Sequence, residues 1–373
     1  MVKTTFTIFL LFIFINANAQ TLFSVSGIIK DKRGVLPGAT VFLSNTKAIT
    51  ATNKDGAFEL KGISPGTYLL VAKFIGYETV TISANVIDRS IDVNLTLIES
   101  SNQLKQVTIT ADPKWEEHFQ EFKKRFLGET PNAKKCEIEN KEVLHFHSKL
   151  QTLTVSADEF LKINNKALGY EINYLLVSFE FNLKTGIIKY QGYPSFQELK
   201  ADDEKQSNLW KKNREAAYAG SPTHLMKSIF DSKSYKEGFR IYTCDYDVLN
   251  PITDEGQEKP IQVFSKQQVF LDSLIKQNEE GFKSLSFKKS LLVVYTRGIE
   301  TFDYKNSGFG FQRPLGISMI PKGQLSIISL LEDNLTIDLN GNYSPPDALF
   351  LKGYFAWRQI ADLTPIAQNL GIQ

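Results

Sequence analysis

His145 and His147 are the residues whose types and spacing come closest to a reactive site. They occupy alternate positions in the strand-like run 142–148, so both imidazoles would lie on one face of a strand, where two imidazoles can bind Zn²⁺. A catalytic zinc ion needs a third protein ligand, for which Asp158 and Glu159 are the nearest candidates, and the sequence has no HExxH or HxxEH motif. Two polar side chains on a solvent-facing strand explain the pattern more simply. We therefore predict no metal and no cofactor, and keep the two histidines as weak catalytic suspects.

A serine and a histidine also lie close together, in Ser221-Pro222-Thr223-His224. Ser221 is explained by a helix N-cap, because serine followed by proline is typical of the start of a helix. There is no GxSxG elbow, and no P-loop or GxGxxG motif precedes a helix. We interpret this stretch as structural rather than as a nucleophile with its base.

The two cysteines, Cys136 and Cys244, have no CxxC or CxxH neighbours, so metal or redox chemistry has little support. In an oxidising compartment they could form a disulfide. Closing a loop of about 100 residues would then contribute up to ~4.7 kcal/mol in the chain-entropy model. Two separately buried thiols are the other alternative, and the sequence leaves both open.

A basic cluster of Lys211, Lys212 and Arg214 lies in a helical pattern. We interpret it as a solvated helix face. A contact with lipid headgroups or an acidic glycan is the alternative.

The first 19 residues have the pattern of a secretory signal: Lys3, a nearly continuous apolar run over 6–15, and Ala17-Asn18-Ala19 as a cleavage site. The apolar run is far shorter than the ~20 residues that a membrane span needs, and no later segment approaches that length. The mature chain is expected to begin near Gln20 without a transmembrane helix. No cysteine follows the cleavage site, so a lipoprotein is not expected. We predict an exported protein, periplasmic or associated with the outer membrane.

The composition excludes some classes of function. The formal net charge of +2 is close to balance, whereas a nucleic-acid-binding protein normally has a basic excess. Aromatic residues make up 12% of the chain, including 27 phenylalanines, which favours well-filled β-rich cores over disorder. The length is sufficient for two domains.

Residues 20–98 are predicted to form an all-β sandwich. Short alternating strands are separated by Pro37-Gly38, Asp55-Gly56 and Pro65-Gly66, and the second pair is a favoured hairpin turn. Strands every 8–12 residues are typical of a sandwich. The predicted strands are 24–31, 39–47, 57–60, two within 67–82, and 91–98.

These turns occur in an order that resembles a known family. The matching elements are Gly27, Leu36-Pro37-Gly38-Ala39, Thr52-x-x-Asp55-Gly56-x-Phe58, Pro65-Gly66-x-Tyr68 and Gly76-Tyr77. The combination is similar to the carboxypeptidase regulatory-like domain, a transthyretin-like sandwich common in envelope proteins of Bacteroidota. The resemblance implies a non-catalytic module without metal ligands or a nucleophile, and hence a rigid spacer or docking module.

Residues 99–113 are predicted to be a linker or an edge strand, with LKQVTIT (104–110) as the strand-like part. A comparable element follows a similar sandwich in TonB-dependent receptors. The residues after it are too few for a plug and a 22-stranded barrel, so the chain does not resemble such a receptor as a whole. The alternative is that 104–110 adds to the sheet edge of a partner.

Residues 114–373 are predicted to form an α+β domain with a mostly antiparallel sheet. A helix from 115 places Trp115, Phe119, Phe122 and Phe126 on one face. Further helices are predicted at 208–220, 221–231 and 353–363. Strands are predicted at 142–148, 152–157, 168–182, 186–199 and 291–297 and twice within 323–344, with Asn340-Gly341 as a further turn. Residues 266–282 fit a strand, a helix or a mixture of the two. This half resembles, more loosely, exported Bacteroidota proteins of unknown function.

The function that these patterns favour is a non-catalytic envelope protein, in which the sandwich presents a domain that binds a partner protein or a glycan. The alternatives are a periplasmic hydrolase of peptide or polysaccharide with its site in 114–373, and a purely structural spacer. No nucleic-acid partner is expected.

Overall fold

The computed structural model describes residues 21–100, 112–248, 282–311, 320–345 and 348–366, with short pieces at 251, 259, 261–263, 269 and 274–277. The predicted signal, residues 1–19, and the predicted edge strand, residues 104–110, lie outside the described residues. Most of the stretch 266–282, which the sequence left undecided, lies outside them as well. Among the described helices, none combines the length and the apolar character that crossing a membrane requires.

Two sheets form the N-terminal unit and enclose a common core, as predicted. One sheet has the order β4-β1-β7, with β8 also beside β1, and the other has the order β3-β2-β5-β6. Inward-facing side chains from both sheets, such as Val25 and Leu70, make up this sandwich core. The strands are β1 (Phe23–Lys30), β2 (Thr40–Leu43), β3 (Ile49–Ala51), β4 (Ala57–Ile63), β5 (Gly66–Lys73), β6 (Val80–Val86), β7 (Ile91–Asp92) and β8 (Leu95–Thr96).

The Asp55-Gly56 turn differs from the prediction. It is tight, with Gly56 at φ +70°, but β3 pairs with β2 and β4 pairs with β1, so the turn joins the two sheets instead of closing a hairpin within one. The reason is tertiary: Phe58 and Leu60 on β4 are buried in the core between the sheets. A local turn signal does not determine which sheet receives the next strand.

A six-stranded antiparallel sheet and one helix form the next unit. The long strand β13 pairs with β14 on one side and with β11 and β12 on the other, and β10 and β9 extend the two ends. The predicted aromatic face of α1 packs on this sheet, where Phe122 contacts Phe179 and Phe126 contacts Tyr174 edge to face. The elements are α1 (Trp115–Leu127), β9 (Cys136–Ile138), β10 (Leu144–Lys149), β11 (Thr152–Ala157), β12 (Leu161–Asn165), β13 (Tyr170–Asn182) and β14 (Ile188–Glu198).

Two more antiparallel sheets follow, one of five strands (β16-β15-β19-β20-β23) and one of four (β17-β18-β21-β22). The predicted helices before them are present, and α3 begins as expected with Ser221 as N-cap and Pro222 as the first helical residue. The elements are α2 (Glu204–Tyr218), α3 (Pro222–Phe230), β15 (Phe239–Asp245), β16 (Gln262–Val263), β17 (Ile275–Gln277), β18 (Lys283–Leu285), β19 (Leu291–Tyr295), α4 (Phe302–Lys305), β20 (Gln324–Leu330), β21 (Leu335–Ile337), β22 (Tyr343–Ser344) and β23 (Leu349–Gly353). The predicted α+β class is confirmed.

The predicted final helix over 353–363 is wrong. Only a four-residue helix, α5 (Tyr354–Trp357), and a 3₁₀ turn (Ile360–Asp362) form, with Arg358 and Gln359 extended between them. The cause is burial in several cores. Phe355 packs with the five-stranded sheet, Ile360 with the six-stranded sheet and α1, and Ile366 with the sandwich core. We call residues 354–366 the C-terminal segment.

The sandwich is docked on the rest of the chain. The loop after β2 forms a parallel bridge with β14: Asn45 N donates to Pro194 O at 2.8 Å, and Phe196 N donates to Thr46 O at 2.9 Å. Ile366 N donates to Asn45 O at 2.7 Å. Phe42 and Val71 pack directly against β13 and β14. Shared hydrogen bonds and a shared apolar contact therefore join the module to its neighbour, which a simple spacer would not require.

Candidate functional site

The two histidines singled out in the sequence share the outward face of β10, opposite Phe146, which packs against α1. His145 Nε2 lies 2.6 Å from the carboxylate of Asp158, while His147 is exposed. Glu159 is exposed too and forms no hydrogen bond or ion pair with either histidine. Within the described residues, no three histidine, cysteine or acidic side chains form a group that could hold a metal ion. The geometry amounts to one surface hydrogen bond beside an exposed histidine.

Ser221 and His224 are brought together only as a helix cap. Ser221 Oγ accepts a hydrogen bond from the backbone N of His224 at 3.1 Å. The imidazole accepts a hydrogen bond from Gly220 N at its Nδ1, 3.0 Å away, and lies among aromatic rings. Burial lowers the pKa of His224 to about 4, so the ring is neutral near pH 7. The serine oxygen and the imidazole therefore do not form a nucleophile–base pair.

Both cysteines are unpaired thiols in the structure. Cys136 lies in the core between α1 and the six-stranded sheet, and Cys244 lies in a separate cluster on the five-stranded sheet. Burial raises the pKa of each thiol to about 12. The nucleophilic thiolate is therefore negligible near neutral pH, and neither residue is suited to covalent catalysis.

The basic cluster is split by the fold. Lys211 and Lys212 are exposed on α2, as predicted. Arg214 instead stacks over the ring of Tyr170 at 4.0 Å and donates hydrogen bonds to the carbonyl oxygens of Leu168 and Gly169. Its role is to fasten α2 to the six-stranded sheet.

A cleft of about 440 Å³ opens where one end of the sandwich meets the turn 338–342, between β21 and β22. Four lining residues are apolar: Phe23, Pro65, Ile87 and Leu339. Four others carry hydrogen-bonding side chains: Thr21, Ser64, Asp88 and Asn340. The cleft is thus built from two parts of the chain that are far apart in sequence.

Asp338 holds the two sides of the cleft together. One carboxylate oxygen accepts hydrogen bonds from Asn340 N and Asn342 N, each at 2.8 Å, and fixes the turn. The other accepts from Asn342 Nδ2 at 2.8 Å and from Thr67 N of the sandwich at 3.2 Å. Burial raises the pKa of Asp338, and these N–H donors act in the opposite direction. The carboxylate is a structural anchor between the modules.

The turn between β4 and β5 is shaped for this close approach. A Cβ atom at Gly66 would lie 2.3 Å from Asn340 Nδ2, so a side chain there would displace the asparagine. Asn340 Nδ2 lies 3.5 Å from Pro65 O, and Asn342 Nδ2 lies 3.4 Å from Thr67 O. The Pro65-Gly66 pair therefore contributes more than a chain reversal, since it also forms the docking point for the distant turn.

Three buried side-chain oxygens at this end of the sandwich have no hydrogen-bond partner: Ser64 Oγ, Thr67 Oγ1 and Asn85 Oδ1. Ser64 lines the cleft and is only 6% exposed. Thr67 is paired with Asn85 across β5 and β6, so the two latter oxygens are neighbours. Leaving such groups unpaired costs about 1–3 kcal/mol each, and they are sites where a bound ligand or water would be stabilised.

Ser64 also lies in a sequence, Gly62-Ile63-Ser64-Pro65-Gly66, that has the GxSxG spacing of hydrolase nucleophiles. Such an elbow requires a strand–turn–helix context, whereas this serine joins two strands. All four histidines of the chain are described, and none of them lines the cleft. The spacing therefore does not correspond to a serine hydrolase.

Sequence reasoning missed the cleft as a site. Pro65-Gly66 and Asn340-Gly341 were both predicted as turns, but nothing in either turn indicates that they meet across 275 residues. The GxSxG spacing of residues 62–66 is visible in the sequence alone and was also missed, although the exclusion of an elbow agrees with the strand–turn–strand context of Ser64. What the arrangement can do chemically is bind: it offers apolar surfaces interrupted by a carboxylate, an amide and hydroxyls.

Residues 25–109 match the family model of the CarboxypepD_reg-like domain. The resemblance predicted from the turns is thereby confirmed for the N-terminal unit. The bacterial origin and the relatives of the C-terminal half stay predictions. No curated protein matches the chain.

Several solved structures share partial similarity. A cohesin–X-dockerin complex of Acetivibrio cellulolyticus is 25% identical over 21% of this chain and 58% of that chain, with a TM-score of 0.19. A putative carbohydrate binding protein of Bacteroides uniformis is 9% identical over 47% of this chain and 79% of that one, with a TM-score of 0.18. The major pilin subunit of Bacillus cereus is 11% identical over 85% of this chain and 95% of that one, with a TM-score of 0.19. The chain spans less than two thirds of the first of these, and scores this low carry no argument about function.

Proposed function

We propose that this protein is a non-catalytic binding protein of the cell envelope, and that its ligand is the saccharide end of a glycan, held in the cleft between the sandwich and the turn 338–342. The observation that carries the proposal is the cleft itself. It is formed jointly by the two modules, and its lining alternates apolar surface with hydrogen-bonding side chains.

The size of the cleft fits a small ligand. Sites for small molecules usually measure ~300–1,000 Å³ and combine apolar walls with a few polar groups that fix orientation. The ring of Phe23 and the side chain of Ile87 offer apolar surface to the C–H faces of a sugar ring. The Asp88 carboxylate accepts hydrogen bonds from hydroxyl groups, while the Asn340 amide and the Ser64 hydroxyl both donate and accept. A polyhydroxylated ligand satisfies both kinds of surface.

Catalysis has weaker support. A hydrolase of peptide or polysaccharide needs a nucleophile with a base, two facing carboxyl groups, or a metal ion. Among the described residues that line the cleft, Asp88 has the only acidic side chain and there is no histidine or cysteine. His145 and Asp158 lie together at the surface of the six-stranded sheet, and Ser156 lies opposite His145 across β10 and β11, but no hydrogen bond joins the side chains of Ser156 and His145. We therefore place the protein among binding proteins.

We also propose that the protein is located in the periplasm or at the outer membrane. This location is supported by the signal-like pattern of residues 1–19. Attaching residues 1–24 to a reporter enzyme that is active only outside the cytoplasm tests it. Reporter activity together with cleavage after Ala19 supports export, and an uncleaved, inactive fusion contradicts it.

Binding is tested by titrating the mature protein with a panel of soluble neutral and acidic oligosaccharides, followed by calorimetry and ligand-observed NMR. At least one saccharide is expected to bind saturably. Asn340→Ala and Ile87→Asp are expected to weaken that binding by roughly tenfold or more, since each removes a wall or a hydrogen-bonding group of the cleft. The exposed residue Ser83 on β6 offers a matched control, Ser83→Ala, which should bind as the unchanged protein does.

Two results contradict the proposal. One is the absence of binding across the panel by a folded protein. The other is binding that both cleft variants leave unchanged. Release of shorter products from any oligosaccharide would instead support the hydrolase.

A further inference from the structure

Two hairpin tips lie side by side at one end of the six-stranded sheet. One joins β10 to β11 through Leu150 and Gln151, and the other joins β13 to β14 through residues 183–187. Leu183 N donates a hydrogen bond to Gln151 O at 2.8 Å, which fixes one tip against the other. We call residues 148–152 and 182–187 the paired tips.

Each tip presents a leucine to solvent. Leu150 is 87% exposed and Leu183 is 54% exposed. A single exposed apolar side chain on a surface needs no explanation. Leu150 and Leu183, in contrast, protrude from neighbouring hairpins at the outermost points of one sheet. They form a pair of anchors and are not part of a packed face.

The backbone under Leu150 is unfavourable for leucine. Leu150 has φ +46° and Gln151 has φ +64°, the combination of a two-residue turn that usually takes asparagine and glycine. A bulky side chain at positive φ is a true outlier among L residues. The neighbouring tip, in contrast, is locally favourable, because Asn182 Oδ1 accepts hydrogen bonds from Lys184 N and Thr185 N, and Gly186 takes the positive φ. Leucine thus occupies position 150 although the turn favours asparagine there.

The charged side chains within the paired tips have one sign. Lys149 precedes Leu150, Lys184 follows Leu183, and both lysines are exposed. Neither tip contains an aspartate or a glutamate. An apolar anchor flanked by lysines is complementary to an anionic bilayer, where the apolar side chain enters the headgroup region and each cation gains from the negative surface potential.

We propose that the paired tips dock this protein on an anionic membrane surface, with Leu150 and Leu183 inserted among the headgroups and with Lys149 and Lys184 on the lipid phosphates. The anchors are small, so binding is reversible and falls as salt rises. A protein partner fits less well, since the described tips offer protruding side chains without a groove or an extended flat patch. The cleft lies between the sandwich and the turn 338–342 and shares no lining residue with the paired tips, so the two sites can be tested separately.

The surface of α2 gives a matched control. Leu209 is 48% exposed there and lies beside the exposed Lys211 and Lys212. The same helix also carries Glu204 and Glu215, so its charge is mixed. Leu209→Ser with Lys211→Glu changes the same residue types in a place where no membrane contact is proposed.

The test is co-sedimentation of the mature protein with vesicles of phosphatidylethanolamine and phosphatidylglycerol, and with vesicles of phosphatidylcholine alone. Binding is expected only with the anionic vesicles, and it should weaken as sodium chloride is added. The pair Leu150→Ser and Leu183→Ser, and separately Lys149→Glu with Lys184→Glu, should each lower the vesicle affinity by roughly tenfold or more. The α2 control and the cleft variant Ile87→Asp should bind vesicles as the unchanged protein does.

A second variant guards against loss of folding. Leu150→Asn with Gln151→Gly places the preferred residues in the turn, so thermal stability should rise while vesicle binding falls. The proposal is overturned if the protein ignores anionic vesicles, if it binds both vesicle types equally, or if this stabilised variant binds as well as the unchanged protein. Capture of a protein partner through the tips, without any vesicle binding, also overturns it.

Discussion

The sandwich and the region from 112 to 366 differ in how far apart in the sequence the residues lie whose contacts stabilise each structure. In the sandwich, the turn residues form hydrogen bonds with residues only a few positions away in the sequence. Asn53 Oδ1 accepts hydrogen bonds from Asp55 N and Ala57 N, and Tyr68 OH donates one to Ser64 O. In the larger region, the decisive contacts span most of the chain. Thr130 donates to Asp362 at 2.6 Å across 232 residues, and Asn165 Nδ2 donates to Ala361 O across 196 residues.

This difference explains why the sandwich can be recognised from a sequence motif and the larger region cannot. Turn residues and their capping hydrogen bonds recur as a fixed pattern in the sequence because they act within a few positions. Contacts between distant segments leave no such pattern. The C-terminal segment shows the consequence, since its fold depends on three cores that it reaches only after the rest of the chain is in place.

Removing the C-terminal segment is expected to have the largest effect. A chain that ends at Gly353 lacks the C-terminal segment and loses six buried apolar side chains: Tyr354, Phe355, Trp357, Ile360, Ala361 and Ile366. Losses of this kind cost about 2–5 kcal/mol each, and their sum exceeds the ~5–15 kcal/mol by which a typical protein is stable. We expect the region from 112 to lose its near-ultraviolet circular dichroism and become sensitive to protease. The sandwich, which loses only Ile366, should keep more of its protection.

A chain that ends at Ile366 keeps the segment and is the control, expected to behave as the full chain does. If the shorter chain left both regions equally protected, long-range contacts would not decide the larger region. If both regions unfolded together, the contrast between them would be lost.

Lowering the pH should weaken the larger region selectively through His224. Its pKa is 6.5 in an ordinary environment and about 4 in the folded protein, because burial disfavours the charged ring. Between these values the unfolded chain holds more protons than the folded one, so the free energy of unfolding falls as the pH falls. The full effect is roughly 3 kcal/mol, present above pH 6.5 and lost by about pH 4.

His224→Gln is the matched variant for this prediction. Glutamine retains an acceptor for Gly220 N but does not titrate, so the difference in unfolding free energy between the two proteins should change with pH. Urea unfolding at several pH values, followed by near-ultraviolet circular dichroism, measures it. Glu237, Arg297 and Arg358 face the ring and stay unchanged in both proteins. A constant difference between pH 4 and 7 would show that His224 does not titrate as described.

Most of the sandwich was predictable, and the reason is visible in its strands. The alternation in β1 places Val25 and Ile29 in the core, and the boundaries 23–30 observed for this strand differ by one residue from those predicted. The predicted strand 39–47 ends early, at Leu43, because Asn45 takes a φ of +62° and begins the bridge to β14. The error arises at the point where the sandwich contacts another part of the chain.

The larger region was predictable where an element is long and periodic. The aromatic face of α1, the N-cap Ser221 and strand β11 were all found from the sequence. Short strands buried by distant partners were missed, such as β12, which pairs with β13 and β9. The cleft could not be found, because its two sides belong to unrelated turns and become neighbours only after folding.

Asp338→Ala tests the joint between the two regions. The change leaves Thr67 N, Asn340 N and Asn342 N without their acceptor and is expected to cost about 2 kcal/mol. The midpoints for unfolding of the sandwich and of the larger region should move apart, as measured by calorimetry. The exposed Asp333, in the turn before β21, gives the control Asp333→Ala, with a change within ~0.5 kcal/mol. Equal effects of the two substitutions would show that Asp338 does not couple the regions.

The smallest effect is expected from Tyr77→Phe, which tests whether a recognisable residue of the sandwich acts only within the sandwich. The Tyr77 hydroxyl donates to Asp31 Oδ2 at 2.7 Å, and this bond is the main reason why the pKa of Asp31 is lowered from 3.8 to about 2. A lowered carboxyl pKa stabilises the folded state above pH 3.8, and that contribution is lost as the pH falls towards 2. In the variant the pKa of Asp31 should rise towards 3.8, as followed by NMR titration, and acid unfolding of the sandwich should depend less on pH in this interval. Thr130 and Asp362, far away in the larger region, should keep their chemical shifts. Changed chemical shifts at Thr130 and Asp362 would mean that Tyr77 is coupled to contacts of the larger region. The sandwich would then not be stabilised independently of that region.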